Sequence, residues 1–207
     1  MLNTAIGLFG IHYVKNLNHW MGWNHAVDYS LCIKNNQQTV FDHYTSSFYS
    51  HTYFSEKVSE LIEDYKFKCL KLKPISNERK DNYRSKNTSV KETARLILED
   101  NIEYDVVILM RYDMIFHQNI IDLNIDYNKV NMLCLNNCGS ILNLCDDSFY
   151  LMPFNKLQEF YDTIDKLDVN ASSHEYNKHI EDINYMVDGA FYSHQYPMYH
   201  VLRVPLS

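Results

Sequence analysis

Glycine and proline are scarce in this chain, five and four among 207 residues. No apolar run approaches the roughly 20 residues of a membrane span, so no transmembrane segment is expected. Basic residues are outnumbered, 19 Lys and Arg against 26 Asp and Glu, and the net charge is −7. That excludes the basic footprint of bulk nucleic-acid binding. No Gly-x-Gly-x-x-Gly is present, hence no dinucleotide fingerprint, and no His-Glu-x-x-His, hence no zinc-protease signature. Five cysteines form no regular framework and contain no Cys-x-x-Cys. Although Cys134, Cys138 and Cys145 cluster, they read as reduced, partly buried thiols of a cytosolic, cytoplasmic protein. The N-terminus, Met1-Leu-Asn-Thr-Ala-Ile-Gly-Leu-Phe-Gly10, lacks a basic leader region and reads as a first strand, not a signal peptide. Scarce Gly and Ala with abundant Asn, Ile, Lys and Tyr match an AT-rich genome, such as that of a large DNA virus or a protist, and carry no chemistry.

Hydrophobic residues make up 46% of the chain and aromatics 14%, which rules out disorder and supports a sizeable core. One domain over residues 1–207 is expected, whole or as part of a longer protein. Thr4 to Ile11 reads as a first strand running into a glycine turn. Trp20 to Asn35 reads as a helix, Phe48 to Phe54 as a strand, and Ser55 as the cap of a helix carrying Val58, Leu61 and Ile62. Phe67 to Leu72 is a short strand. Pro74 to Asn87 is polar and reads as a mobile loop, after which Thr88 or Ser89 caps a helix from Val90 to Asp100. Val106 to Met110, Val130 to Leu135 and Ser148 to Met152 are strand-like. Pro153 opens an amphipathic helix with Leu157, Phe160, Tyr161, Ile164 and Leu167 at helical spacing. Ser173 caps a further helix with Tyr176, Ile180, Ile183 and Met186, and Tyr199 to Val204 reads as a terminal strand. Strands alternating with helices predict an α/β fold, a mostly parallel sheet flanked by helices.

The chemistry concentrates in Asp105-Val-Val-Ile-Leu-Met-Arg-Tyr-Asp-Met-Ile-Phe116. A continuous apolar run reads as a strand covered on both faces. It ends in Arg111 and Asp113, where open α/β sheets bind their ligands. Asp113 suits a Mg²⁺ or Mn²⁺ ion that completes its shell with water and phosphate oxygens. Arg111 offers a bidentate fork to a phosphate. The same pair also suits a plain surface ion pair. Asp146 and Asp147 lie between an apolar segment and an aromatic run; a carboxylate there can act as general base on a hydroxyl, and a solvated turn is the other reading. His51 and His194 are candidate metal ligands or ordinary buried histidines. Seventeen tyrosines suit stacking on a base or sugar as well as core edges.

In order along the chain, these segments resemble a family of small GT-A-type glycosyltransferases. Ala5-Ile-Gly-Leu-Phe-Gly10 resembles the first strand and glycine turn that receive the nucleotide. Ser50-His-Thr-Tyr-Phe-Ser55 is similar to the family's His-Thr-aromatic segment, and Ser89-Val-Lys-Glu-Thr-Ala94 to the helix before its metal strand. Val106 to Phe116 resembles the family's Val-Ile-x-x-Arg-x-Asp-x-x-Phe strand, and Cys145-Asp-Asp-Ser-Phe-Tyr-Leu-Met-Pro153 resembles the acceptor-side Asp-Asp-x-Phe. The resemblance spans roughly residues 4 to 165. It implies a GT-A-like, Rossmann-like fold and a transferase that moves a sugar from a nucleotide-diphosphate donor to a glycan or glycoprotein acceptor, assisted by Mn²⁺ or Mg²⁺. Gly7, Phe9, Gly10, His12, Arg84 and Arg111 would serve the donor, with Arg84 on the 76–87 loop. Asp113 and His194 would hold the metal, and Asp147, or alternatively Asp146, would serve the acceptor. Two departures stand out: Arg111 replaces the first Asp of the family's DxD motif, and His12 stands where an Arg is common. A nucleotidyltransferase and a non-catalytic binding domain are the competing readings.

Overall fold

The computed structural model describes residues 1–18, 24–74, 79–134, 145–164, 166–167, 176–187 and 192–194. Five strands of the first half are β1 (Asn3–Phe9), β2 (Tyr13–Asn18), β3 (Asn24–Asp28), β4 (Thr45–Tyr53) and β5 (Cys69–Lys73). Helices α1 (Ser30–Thr39), α2 (Val58–Tyr65) and α3 (Arg79–Glu99) are interleaved with them. Then come β6 (Val106–Arg111), β7 (Met114–Phe116), β8 (Val130–Cys134), β9 (Cys145–Pro153), α4 (Leu157–Ile164), β10 (Ile183–Val187) and β11 (Tyr192–His194). Seven strands form one sheet in the order β10-β8-β9-β6-β1-β4-β5. All neighbours are parallel except β9, which runs antiparallel to both β6 and β8. Two small antiparallel pairs, β2 with β3 and β7 with β11, stand outside the sheet.

The central strands are apolar on both faces because each face carries helices. Ala5, Phe9, Val107 and Leu109 point to a core shared with Val90, Ala94 and Ile97 of α3 and Leu157, Phe160 and Ile164 of α4. Ile6, Leu8, Ile108 and Met110 point the other way, to a core with Leu61 and Tyr65 of α2 and the aromatics Tyr29, Phe41, Tyr44 and Tyr112. The period of two along each strand divides these sets. Gly7 occupies mid-β1 for a packing reason. A Cβ there would lie 2.5 Å from Leu109 Cδ2 and 2.6 Å from Thr93 Cγ2, so its bareness lets α3 settle onto the sheet.

Polar pins hold the ends of the sheet. Tyr49 and Tyr104 share a hydrogen bond of 2.5 Å, and both reach Asp100, which also pairs with Lys68 at 2.5 Å. Buried Asn131 accepts from Asp126 N (2.9 Å) and donates to the carbonyls of Asp126 (2.8 Å) and Leu151 (3.0 Å). It thereby joins β8 to β9 and to the preceding turn.

Three expectations are corrected. Residues 79–87 begin a 21-residue helix instead of a loop, so no helix starts at Thr88 or Ser89. Polarity does not preclude a helix: residues 79–99 contain no Gly or Pro, and Arg95 pairs with Glu92 and Glu99 one turn either way. Trp20 to Asn35 is not one helix, because Asn24–Asp28 pairs with β2 and the helix begins at Ser30. Ile183 and Met186 lie on β10, a strand paired with β8, where helical spacing was expected. The predicted terminal strand at Tyr199 to Val204 lies outside the described residues. Among the described residues no helix is long and apolar enough to cross a membrane.

Gly7→Ala is expected to destabilise the fold by about 1–3 kcal/mol, the usual cost of overpacking a filled core. A urea-unfolding midpoint unchanged from wild type would show that α3 yields without cost.

Candidate functional site

The carboxyl ends of β1, β4 and β6 lie side by side. Phe9 is in register with His51 on one side and with Arg111 on the other. Because β9 is antiparallel, with Met110 opposite Phe149, its first residues start at this same edge. The pair β7–β11 sits just beyond, with Met114 opposite His194. Topology therefore gathers segments from five parts of the sequence at one edge of the sheet, the place where α/β sheets bind ligands.

At its centre is an ion pair. Arg111 Nε donates to Asp113 Oδ1 at 2.8 Å and Nη2 donates to Oδ2 at 2.6 Å. Asp113 is 2% exposed and Arg111 27% exposed, so the carboxylate lies beneath and the guanidinium reaches towards solvent. Between them Tyr112 turns into the aromatic core, and its hydroxyl meets Ser50 of β4 at 2.5 Å. The neighbouring Cys32 thiol is pushed up to about 12, first by burial and then by the Asp113 and Asp28 carboxylates, so it stays a thiol.

The glycine turn is held by a chain of hydrogen bonds. Gly10 has φ of 90°, with open space where a Cβ would point. Its carbonyl accepts from Thr52 Oγ1 at 2.7 Å. Since that hydroxyl has one proton, His12 Nδ1 must be the donor in the 2.8 Å contact to Thr52 Oγ1. Burial keeps the ring neutral near pH 7, so Nε2 is left to accept from Ser55 Oγ at 2.6 Å. Ser55 Oγ in turn accepts from Lys57 N at 3.1 Å, opening the turn into α2. Burial lowers His12 to about 4, in accord with a neutral ring. Lys57 also pairs with Asp28 at 2.8 Å, so the β2–β3 hairpin leans on the start of α2 beside the turn.

Several expected site residues take other tasks. Gly7 lies under α3 in mid-strand, not at the ligand edge. Phe9 is buried against Tyr150, ring centroids 6.4 Å apart. His12 is buried with both nitrogens engaged, so it presents none to a phosphate. Gly10, Arg111 and Asp113 do stand together at the edge. Asp146, Asp147 and His194 have backbones on β9 and β11 at this edge, and Arg84 lies on α3; the side chains of all four are outside the described residues. His51 lies at the edge too, but its ring is buried beside α3. Its Nδ1 finds no partner among the described residues, and burial, aided by nearby Lys73, lowers it to about 4. Thr52 and Ser55 were visible in sequence only as strand and cap residues. Nothing in sequence tied Tyr112 to Ser50, because the two are 62 positions apart.

The residues at Asp113 do not fit a divalent ion. Both carboxylate oxygens already receive a guanidinium. The guanidinium already offsets the carboxylate's charge, and its repulsion of a dication, about 4 kcal/mol per unit of charge at 4 Å and an effective dielectric near 20, cancels most of the attraction the carboxylate would supply. Among the described residues no three His, Cys, Asp or Glu side chains gather into a metal-holding group.

No family model matches the sequence, and no curated protein does. Solved structures do match. A nucleoside-diphosphate-sugar pyrophosphorylase from Vibrio cholerae RC9 has TM-score 0.50 and 10% identity, over 92% of this chain and 94% of that one. The fold is GT-A-like. The apo form of the glycosyltransferase GlyE from Streptococcus pneumoniae TIGR4 has TM-score 0.44 and 15% identity, over 90% of this chain and 45% of that one. At 10% identity the pyrophosphorylase match shows the fold alone and leaves the chemistry to the site itself.

Two buried neutral imidazoles give acid sensitivity. His12 and His51 protonate near 6.5 when unfolded and near 4 when folded. The unfolded chain therefore binds more protons in that window, and stability falls as pH drops from about 6.5 to 4. Each ring contributes up to about 3 kcal/mol. Glu92 titrates below this window, held near 2 because hydrogen bonds from Lys71 and Arg95 outweigh its burial. Melting temperatures between pH 7.5 and 4.5 should decline, and less steeply in His12→Gln; equal slopes would remove His12 from this account.

Proposed function

We propose that the chain is a glycosyltransferase that moves a sugar from a nucleoside-diphosphate donor to a hydroxyl of a glycan or glycoprotein acceptor. The observation that carries this reading is a guanidinium anchored at the carboxyl end of β6, beside a positive-φ glycine turn on a GT-A-like sheet. The likeness to a nucleoside-diphosphate-sugar pyrophosphorylase supports a nucleotide sugar as the ligand class. The donor lies across the Gly10 turn with its diphosphate towards Arg111. In transfer, the bond from the sugar's anomeric carbon to the diphosphate oxygen breaks, and its electron pair leaves with the nucleoside diphosphate. The acceptor oxygen bonds to the anomeric carbon, and its proton passes to Asp147, or to Asp146. Arg111 balances charge on the departing diphosphate. The Mn²⁺ or Mg²⁺ implied by family resemblance enters no step, because the Asp113 site does not suit it.

A nucleotidyltransferase is the second reading, favoured by the match that covers nearly all of both this chain and the pyrophosphorylase. That chemistry attacks at phosphorus and releases pyrophosphate. Against it, the residues after Gly10 enter the β2–β3 hairpin instead of a Gly-, Lys- and Arg-rich loop.

Product analysis separates the two. With a panel of nucleotide sugars and glycan acceptors, free nucleoside diphosphate is expected, and Asp147→Asn should lower turnover by about 10²–10⁴ with an unchanged melting temperature. Pyrophosphate from a nucleoside triphosphate and a sugar 1-phosphate would select the second reading instead.

A further inference from the structure

The Arg111–Asp113 pair has a polarity unlike that of a metal site. Two acidic side chains at positions i and i+2 would present negative charge outward and need a cation before a diphosphate can approach. Here the acid is underneath and the base on top. Asp113 is buried, and its two oxygens are taken at 2.8 and 2.6 Å by Nε and Nη2 of one guanidinium. Arg111 is the part of the pair that reaches solvent, at the end of β6 and in register with Phe9, one residue before the Gly10 turn. The guanidinium is planar, and two hydrogen bonds to one carboxylate fix that plane. It is thus pre-oriented before any ligand arrives, which spares part of the ordering cost of binding.

We infer that this protein binds the diphosphate of its donor through Arg111, oriented by Asp113, without a divalent cation. The inference rests on the nucleotide-sugar reading and deepens it by naming the group that meets the phosphates. Arg111 is the binding residue; Asp113 is a positioning residue that acts through it. The solvent-facing guanidinium meets the phosphates directly, and its repulsion of a dication offsets the pull of Asp113.

The test is calorimetric binding of UDP, GDP, ADP, CMP and dTDP to the whole chain, first with EDTA and then with Mn²⁺. Wild type is expected to bind one nucleoside diphosphate with Kd equal within about two-fold in both media. The double variant Arg111→Gln with Asp113→Asn removes both charges together and leaves no unpaired buried carboxylate. It is expected to lose about ten-fold or more in diphosphate affinity while binding the bare nucleoside as wild type does. Arg111→Lys keeps the charge without the fork and should fall between. Wild-type binding at least ten-fold weaker in EDTA than in Mn²⁺ would overturn the inference and leave the donor reading standing. No nucleoside diphosphate bound in either medium would overturn the donor reading and the inference with it. Diphosphate affinity unchanged in the double variant would remove Arg111 from the site. The wild-type comparison needs no substitution, so a variant that fails to fold does not block the test.

Discussion

A carboxylate that is almost wholly buried needs a charge partner, and at the end of β6 that partner is Arg111. The pairing shapes the whole edge. It forces Arg111 to fold back along the strand end, turns Tyr112 inward to meet Ser50 of β4, and starts β7 at Met114. Asn35 of α1 then clasps Phe116, accepting from its N–H at 2.7 Å and donating to its carbonyl at 2.8 Å. One ion pair thus sets where the central strand stops and how the next segment leaves. It also leaves the guanidinium as the solvent-facing part of the pair.

The second organising feature is the hydrogen-bond chain from Gly10 through Thr52 and His12 to Ser55. It works because each group has a limited proton inventory. A carbonyl can only accept, so the Thr52 and His12 Nδ1 hydrogens follow from it, and the neutral ring then accepts from Ser55. This chain closes the glycine turn of β1 against the end of β4 and the entrance to α2. The turn and the ion pair are neighbours because β1 and β6 pair in parallel with Phe9 beside Arg111. The candidate site is therefore a rigid edge built from strand ends, which suits precise positioning of a ligand.

Much of this was legible in the sequence. Val106 to Met110 is apolar without alternation, so a strand buried on both faces follows, and α3 and α4 on one side with α2 on the other bear it out. The Arg-x-Asp after it was legible as a strand-end feature, and both charges do lie at that edge of the sheet. Less legible were segments whose neighbours decide their state. Ile183 and Met186 have helical spacing, yet pairing with β8 makes them a strand, since a row of unpaired backbone groups at a sheet edge outweighs weak local preference. The polar stretch 79–87 reads as loop by composition but continues into α3, because helix propensity and polarity are separate properties.

Side-chain duties divided along the same line. Residue types and order along the chain determined that a carboxylate, an arginine and a glycine turn would meet at the ends of parallel strands, since strand period and βα alternation are local properties. The tertiary structure decided which atoms reach the open edge of the sheet. Gly7 was a candidate for close approach to a nucleotide, but α3 lies against it. His12 was a candidate phosphate contact, but Thr52 and Ser55, 40 and 43 positions away, take both its nitrogens. Whether Asp113 would coordinate a metal or an arginine depended on the fold of its own two-residue turn. Such choices rest on distances between residues remote in sequence, and on which polar atoms packing leaves without water; only the folded chain sets either.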